Sequence, residues 1–469
     1  MVAVLGTATT AVAAQDKGLD WRPCGVQECA TLAVPLDHDN PRGAQIALEV
    51  SRVRAADPAK RRGVLVLIPG GPGATGLGRP SGAGASLPLS VRDQYDLIGF
   101  DPRGVGKSTQ ASCGLSPRDA SPINIRPWPG PGGDVTPSVE AARRVAEACL
   151  RDGGDLVRSI STRTEAEDID SIRRALGEQR ISYWAVSYGS YVGAVYATLF
   201  PRHTDRVVLD SAGDPDPRRV ARGWLERGAA GAEDRFPDFA RWASNPANPD
   251  RLGATPQEVR ATYLALAERL DAQPLPRPGQ EPAELTGNVL RAFMLQSLGS
   301  ERNFQLFAQL VRAAREGGPL VLPPLPTGQD AQSSAATAIA TICEDVDWPT
   351  KSTSAYARDV RDNRARYPLT AGMPVNVAPC AFWPRPAEPA VVVTPHGPSN
   401  VLILQNRRDP ATPYAGALNM RRAFGDRARM VSVDSGGHGA YLANGNACGD
   451  AAVTGFLTTG RRPATDIAC

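Results

Sequence analysis

Ile181-Ser182-Tyr183-Trp184-Ala185-Val186-Ser187-Tyr188-Gly189 decides how the rest of the chain is read. A short apolar run stops at a small-x-Ser-x-Gly turn, and an apolar helical pattern from Tyr188 to Phe200 begins at once. A strand that turns into a helix this sharply has room for almost no side chain two residues before and two residues after the serine. Ala185 and Gly189 fill those positions, with Ala185 standing where glycine is usual. Such a turn holds the serine oxygen clear of the sheet at a helix N-terminus, the geometry of a nucleophile elbow.

A serine nucleophile needs a base to take its proton and a carboxylate to fix the tautomer of that base. The chain has four histidines, His38, His203, His396 and His438. His38 lies in the turn-like segment 35–41, His203 closely follows the elbow helix, and His396 is in a Pro/Gly loop, so all three read as surface loop residues. His438 differs. Met430-Val431-Ser432-Val433-Asp434 reads as a strand, and Ser435-Gly436-Gly437-His438-Gly439 is a glycine loop at its C-terminal end, where open α/β sheets place their chemistry. Asp409 likewise follows the strand-like Asn400-Val401-Leu402-Ile403-Leu404-Gln405. The chain order Ser187, Asp409, His438 is that of α/β-hydrolases, not that of the chymotrypsin or subtilisin types.

Acyl transfer also needs N–H donors aimed at the developing oxyanion. Gly63-Val64-Leu65-Val66-Leu67-Ile68 is a continuous apolar strand that runs into Pro69-Gly70-Gly71-Pro72-Gly73. Glycines let the main chain approach a substrate carbonyl and prolines stiffen the loop. The two donors are read as the N–H groups of Gly71 and Tyr188, with Gly70 competing for the first.

Strand patterns at 46–54, 64–68, 95–100, 181–186 and 206–210 alternate with helical patterns at 138–150, 164–176 and 188–200, as in a parallel sheet with crossover helices. The strand pattern resumes only at Asn400. The intervening helix-rich stretch, with segments at 256–272, 282–296, 301–315 and 335–343, has its ends on consecutive strands and reads as a lid. The expected organisation is therefore 1–14 as a signal-peptide remnant, 15–212 and 396–469 as the two parts of the core, and 213–395 as the lid. The first 14 residues are a small-residue apolar run with an A-x-A-like end, too short to span a bilayer, which takes about 20 residues.

Net charge is +3 over 469 residues, with no basic stripe, which argues against nucleic-acid and membrane partners. Eight cysteines, an even number in a chain read as exported, indicate disulfides. The C-x-x-C spacing of metal sites does not occur, so no metal or other cofactor is expected.

The glycine–proline loop 69–73, Gly99-Phe100-Asp101-Pro102-Arg103-Gly104-Val105-Gly106-Lys107-Ser108, the elbow, Asp409-Pro410-Ala411-Thr412-Pro413 and Gly436-Gly437-His438-Gly439 together resemble the prolyl-aminopeptidase clan of α/β-hydrolases, and more closely its secreted tripeptidyl-aminopeptidase branch. The likeness runs from Trp21 to Cys469. Pro69 replaces the histidine that opens the oxyanion loop in prolyl aminopeptidases, which points to the tripeptidyl branch. The resemblance implies an α/β-hydrolase fold, a mostly parallel sheet flanked by helices with a large helical lid inserted between strands 6 and 7. Proximity and the same resemblance suggest the pairs Cys24–Cys29, Cys113–Cys149, Cys343–Cys380 and Cys448–Cys469. An aminopeptidase must hold a free α-ammonium at a fixed distance from the serine, and the acidic run Cys343-Glu344-Asp345-Val346-Asp347 in the lid offers Glu344, or else Asp345, for that role. A secreted, monomeric serine aminopeptidase acting on a peptide is the expectation; an esterase or amidase acting on a small acyl compound is the alternative.

Overall fold

The computed structural model describes residues 18–216 and 220–469. The run 1–14 read as a signal-peptide remnant lies outside the described residues. Ten strands form one sheet: β1 (Arg22–Cys24), β2 (Gln27–Pro35), β3 (Gln45–Val53), β4 (Gly63–Ile68), β5 (Tyr95–Phe100), β6 (Ile181–Val186), β7 (Thr204–Asp210), β8 (Val401–Arg408), β9 (Ala428–Gly436) and β10 (Ile467–Ala468). Their order is β1-β2-β3-β5-β4-β6-β7-β8-β9-β10. The first three strands pair antiparallel, β3 pairs antiparallel with β5, and every pairing from β5 to β10 is parallel. β4 and β5 are buried at every residue, the signature of parallel strands covered on both faces. This is the α/β-hydrolase sheet, and the chain order reverses at β4, with β5 on one side and β6 on the other. The crevice beyond the C-terminal ends of β4 and β6 is therefore the place where such a sheet binds ligands.

Helices cover both faces. On one side α2 (Thr162–Ala175), α3 (Tyr188–Leu199) and α10 (Tyr414–Phe424) bury Ile169, Ile172, Val192, Val195, Met420 and Phe424 against the sheet. On the other, α11 (Ala447–Thr459) buries Val453, Phe456 and Leu457. α3 is buried on every face from Tyr188 to Ala197 and is apolar almost all round, as a helix enclosed on all sides must be.

Between β7 and β8, the sixth and seventh strands once the three-residue β1 is set aside, lie α4 (Val220–Ser244), α5 (Pro256–Ala272), α6 (Gly287–Leu298), α7 (Phe304–Glu316), α8 (Gly328–Glu344) and α9 (Thr353–Arg366). They do not share one core. α4 to α7 pack around Phe236, Phe239, Tyr263, Phe293 and Phe307. α8 packs with α1 (Thr136–Asp152) and residues from Ala111 to Ile160, around the Cys113–Cys149 and Cys343–Cys380 disulfides. All four expected cysteine pairs are present, Cys24–Cys29 and Cys448–Cys469 included.

Candidate active site

The end of β6 carries Ser187 in a backbone conformation, φ 62° and ψ −131°, that L-residues rarely adopt. The surroundings hold it there. Ser187 N–H donates to Asp210 O at 3.0 Å, and Ser190 N–H and Oγ both donate to the Ser187 carbonyl. A Cβ on Gly189 would collide with the Pro69 carbonyl, so glycine two residues after the serine is required by the loop that follows β4. Ala185 is fully buried two residues before it. The loop 69–73 leaves β4 directly beside the elbow: a Cβ placed on Gly70 would lie 3.0 Å from Ser187 Cβ and 3.5 Å from Ser187 Oγ. Tyr188 opens α3, which sets its N–H at the positive end of the helix dipole.

Two and three strands away, Asp409 follows β8 and His438 follows β9. His438 Nδ1 lies 3.0 and 2.9 Å from the two Asp409 carboxylate oxygens. Asp409 is 1 % exposed, and its Oδ1 accepts the N–H groups of Ala411 and Thr412 at 2.8 and 2.9 Å. Thr412 Oγ1 adds a 3.0 Å hydrogen bond to Oδ2 and lies 3.4 Å from His438 Nδ1. These donors and the imidazole outweigh burial and hold the Asp409 carboxyl below its usual range. Burial pulls the His438 imidazole down, but the Asp409 carboxylate, with a contribution from Asp210, more than offsets it, and the net shift is upward. The imidazole side chain is 24 % exposed. Among the described residues no hydrogen bond joins Ser187 Oγ to the imidazole. Such bonds are often long in unliganded sites and tighten with substrate.

Ser187 and His438 are linked through β7. Asp210, paired with Val186 in the sheet, is fully buried, and its carboxylate accepts the N–H groups of Ala440 and Tyr441 at 2.8 and 3.0 Å. Ser211 Oγ accepts the Gly439 N–H at 2.9 Å. The residue beside the elbow thus grips the loop that carries His438. From the lid, Gly299 O accepts the His438 N–H at 2.8 Å. From the same loop, Asn444 Nδ2 donates to His438 O at 2.8 Å. Asp210 does not stand out in the sequence, since a strand-end aspartate is common, and Thr412 enters it only as a member of the segment 409–413, with no role of its own.

The acids Glu344 and Asp345 lie elsewhere. They line a cavity of about 510 Å³ with Tyr191, Thr162, Leu36 and Val391, and neither Ser187 nor His438 is on its wall. Asp345 is 6 % exposed and caps α2, accepting the Thr162 N–H at 2.8 Å and the Thr162 hydroxyl. Glu344 Oε1 accepts the Trp383 indole N–H at 2.7 Å. His38, read as a surface loop residue, is instead docked on a buried ion pair: its Nε2 is 2.9 Å from Asp168 Oδ1 and 3.2 Å from Arg103 Nη2. The cause is the loop after β2, whose carbonyls Pro35 and Leu36 also accept from Arg103.

Residues 367–469, which contain Asp409 and His438, match the family described as TAP-like protein. Over 99 % of its length the chain is 32 % identical to the tripeptidyl aminopeptidase of Streptomyces lividans, covering 89 % of that protein. It belongs to the tripeptidyl aminopeptidase family of α/β-hydrolases. Serine protease Hip1 of Mycobacterium tuberculosis is also similar, 29 % identical over 96 % of this chain and 91 % of its own length. Carboxylesterase B of the same species is 32 % identical over 94 % of this chain and 86 % of its own. The family membership makes the chain a serine hydrolase of peptidase type, and the elbow, the Asp409–His438 pair and the glycine loop are where its chemistry is to be sought.

Proposed function

We propose that the protein is a secreted tripeptidyl aminopeptidase that works through an acyl-enzyme on Ser187. The observation that carries this reading is the Asp409–His438 pair, with a buried carboxylate and a partly exposed imidazole, held by Asp210 and Ser211 against the strand that neighbours the elbow. His438 takes the Ser187 proton as Oγ attacks the scissile carbonyl. The imidazolium, steadied by Asp409, returns that proton to the leaving amine. Water then repeats the cycle on the ester. The N–H groups of Gly71 and Tyr188 stabilise the oxyanion in both halves. Gly70, on which a Cβ would lie 3.5 Å from Ser187 Oγ, competes with Gly71 for that role.

Asp345 is spent on capping α2, which leaves Glu344 as the carboxylate to hold the substrate's ammonium, with the peptide reaching from Ser187 to the separate cavity that Glu344 lines. Burial holds the Glu344 carboxyl above its ordinary value, and an arriving ammonium would bring it back down. Glu344→Gln then raises KM for free-amine peptides at least about tenfold with little change in kcat, consistent with loss of a charge-assisted contact. An unchanged KM removes Glu344 from the site. Secretion is supported by the four disulfides and by the absence, among the described residues, of a helix long and apolar enough to cross a membrane.

The relative named carboxylesterase favours a second reading, an esterase or amidase for small acyl compounds, because elbow, triad and oxyanion loop serve any acyl transfer. A tripeptide anilide and its N-acetylated form separate the two. The peptidase reading expects the free amine to be cleaved and the blocked form to be poor; equal cleavage of both favours the esterase.

A further inference from the structure

Tyr188 is the residue whose N–H the proposed reaction uses, and its side chain is built into a buried polar network. The Tyr188 hydroxyl lies 2.8 Å from Thr162 Oγ1 and 3.1 Å from Glu165 Oε2. Thr162 Oγ1 donates to Asp345 Oδ2, and Asp345 Oδ1 accepts the Thr162 N–H at 2.8 Å. None of Tyr188, Thr162, Glu165 and Asp345 is more than 6 % exposed. Asp345 is also the residue that ends α8, the lid helix whose other half meets the oxyanion loop. There Ser334 Oγ donates to Gly73 O at 2.9 Å, and a Cβ on Gly73 would collide with the Ser334 carbonyl. α8 thus touches both sides of the oxyanion site, the glycine loop through Ser334 and the elbow through Asp345, Thr162 and Tyr188. The Cys343–Cys380 disulfide fixes the end of α8 that carries Asp345.

Proton accounting gives the network a direction. An ionised Asp345 can only accept, so it takes the Thr162 proton; Thr162 Oγ1 then accepts the proton of Tyr188; and the Tyr188 oxygen in turn accepts from Glu165. The chain closes when Glu165 is protonated. Burial pushes the Glu165 carboxyl up to about 8 and that of Asp345 to about 6, so near pH 7 the first is neutral and the second charged. Glu165 Oε1 has no hydrogen-bond partner among the described residues, a state a neutral carboxyl tolerates far better than a carboxylate. Besides burial, Asp168 and Asp345 favour the neutral form of Glu165, and the Tyr188 hydroxyl and Arg103 oppose it.

We propose that Thr162, Glu165 and Asp345 are positioning residues, which fix the Tyr188 backbone N–H at the oxyanion site by anchoring its phenol and tie that site to α8. The inference rests on the reading of Tyr188 as an oxyanion donor. Misplacing such a donor lowers the rate without changing ground-state binding.

The test compares Thr162→Val, which keeps the shape and loses the hydroxyl, with Thr162→Ser, which keeps the hydroxyl. Each is assayed for kcat and KM on a tripeptide anilide and for affinity towards the matching tripeptide aldehyde, whose hemiacetal oxygen reports the oxyanion site. Expected is a fall in kcat of about tenfold for Thr162→Val, KM within about twofold, aldehyde affinity weakened by the same factor as kcat, and recovery in Thr162→Ser. Inactivation by a fluorophosphonate, which carries no amine, adds a pH readout. Above the pH at which the rise from His438 deprotonation levels off, the wild-type rate should fall again as Glu165 ionises, and Glu165→Gln, whose amide always has a proton to donate, should keep the rise and abolish that alkaline fall. A raised KM with intact kcat, equal loss in Val and Ser with unchanged aldehyde affinity, or the same alkaline fall in Glu165→Gln each overturns the proposal. Labelling of wild-type Ser187 by the fluorophosphonate tests the parent reading separately: a labelled wild type with unaltered variants discards the network and leaves the nucleophile standing.

Discussion

Ser187 holds a backbone conformation that costs of order 1–3 kcal/mol for a residue with a Cβ, and the turn tolerates it because the Ser187 carbonyl and N–H are both tied down. Ser187→Ala is expected to lose at least about 10⁴-fold in kcat while keeping the fold. Ser187→Gly, equally inactive, should be more stable than the alanine variant by about 1 kcal/mol and unfold at a higher temperature, because glycine adopts positive φ without strain; calorimetry on the pair checks this. In the proposed mechanism, the direction of the His438 shift sets the acid limb of activity. The base must be neutral to accept the serine proton, and a pKa above the ordinary histidine value of about 6.5 moves the loss of kcat/KM on acidification to a higher pH. Asp210 contributes to that rise, so Asp210→Asn should shift the limb to lower pH, a change that a pH–rate profile reads directly. The placing of Ser187, Asp409 and His438 at or just beyond the C-terminal ends of strands was legible from sequence, because each follows an apolar run. His38 was not: its partners, Asp168 and Arg103, lie 130 and 65 residues away, and nothing local announces them.

At the scale of elements, the agreement is closest where burial and turn chemistry coincide. Tyr95–Phe100, Ile181–Val186 and Pro256–Ala272 have the same limits in the sequence reading and in the structure. The helix expected from residue 282 starts only at Gly287, because Thr286 accepts the Val289 N–H as its cap and Glu284–Leu285 form a two-residue strand instead. α4 has no counterpart among the helical segments expected from sequence, and Gly228, Gly231 and Pro237 interrupt it; tertiary packing of Phe236 and Phe239 keeps it helical. Gly231 sits where the helix passes close to the acid loop, and a Cβ there would run into Pro410 O, next to Asp409. The elbow is less forgiving still. Gly189→Ala should destabilise the protein by about 1–3 kcal/mol, as overpacking does, and reduce fluorophosphonate labelling in proportion to the folded fraction; an alanine variant of wild-type stability would mean that the oxyanion loop can back away.

For the molecule as a whole, the sheet and the lid's position between β7 and β8 could be read from the chain, but the division of the lid could not. α8 departs from its sequence neighbours to pack on a stretch of the core's own connections, held by Cys113–Cys149 and Cys343–Cys380. That arrangement depends on contacts between residues 217 positions apart, such as Gln332 Oε1 accepting the Leu115 N–H. Replacing Cys113 and Cys149 by serine should cost about 2–5 kcal/mol of stability and, by loosening the platform under α8, lower kcat more than it raises KM; denaturant melts and steady-state kinetics on the same sample check both. The central claim is that one serine at one sheet rim carries the acyl group. Mass spectrometry of the protein quenched during turnover of a free-amine tripeptide ester tests it most directly. The account predicts a single tripeptidyl adduct on the peptide containing Ser187, absent in His438→Ala. An adduct on another residue, or full turnover by Ser187→Ala, would contradict it.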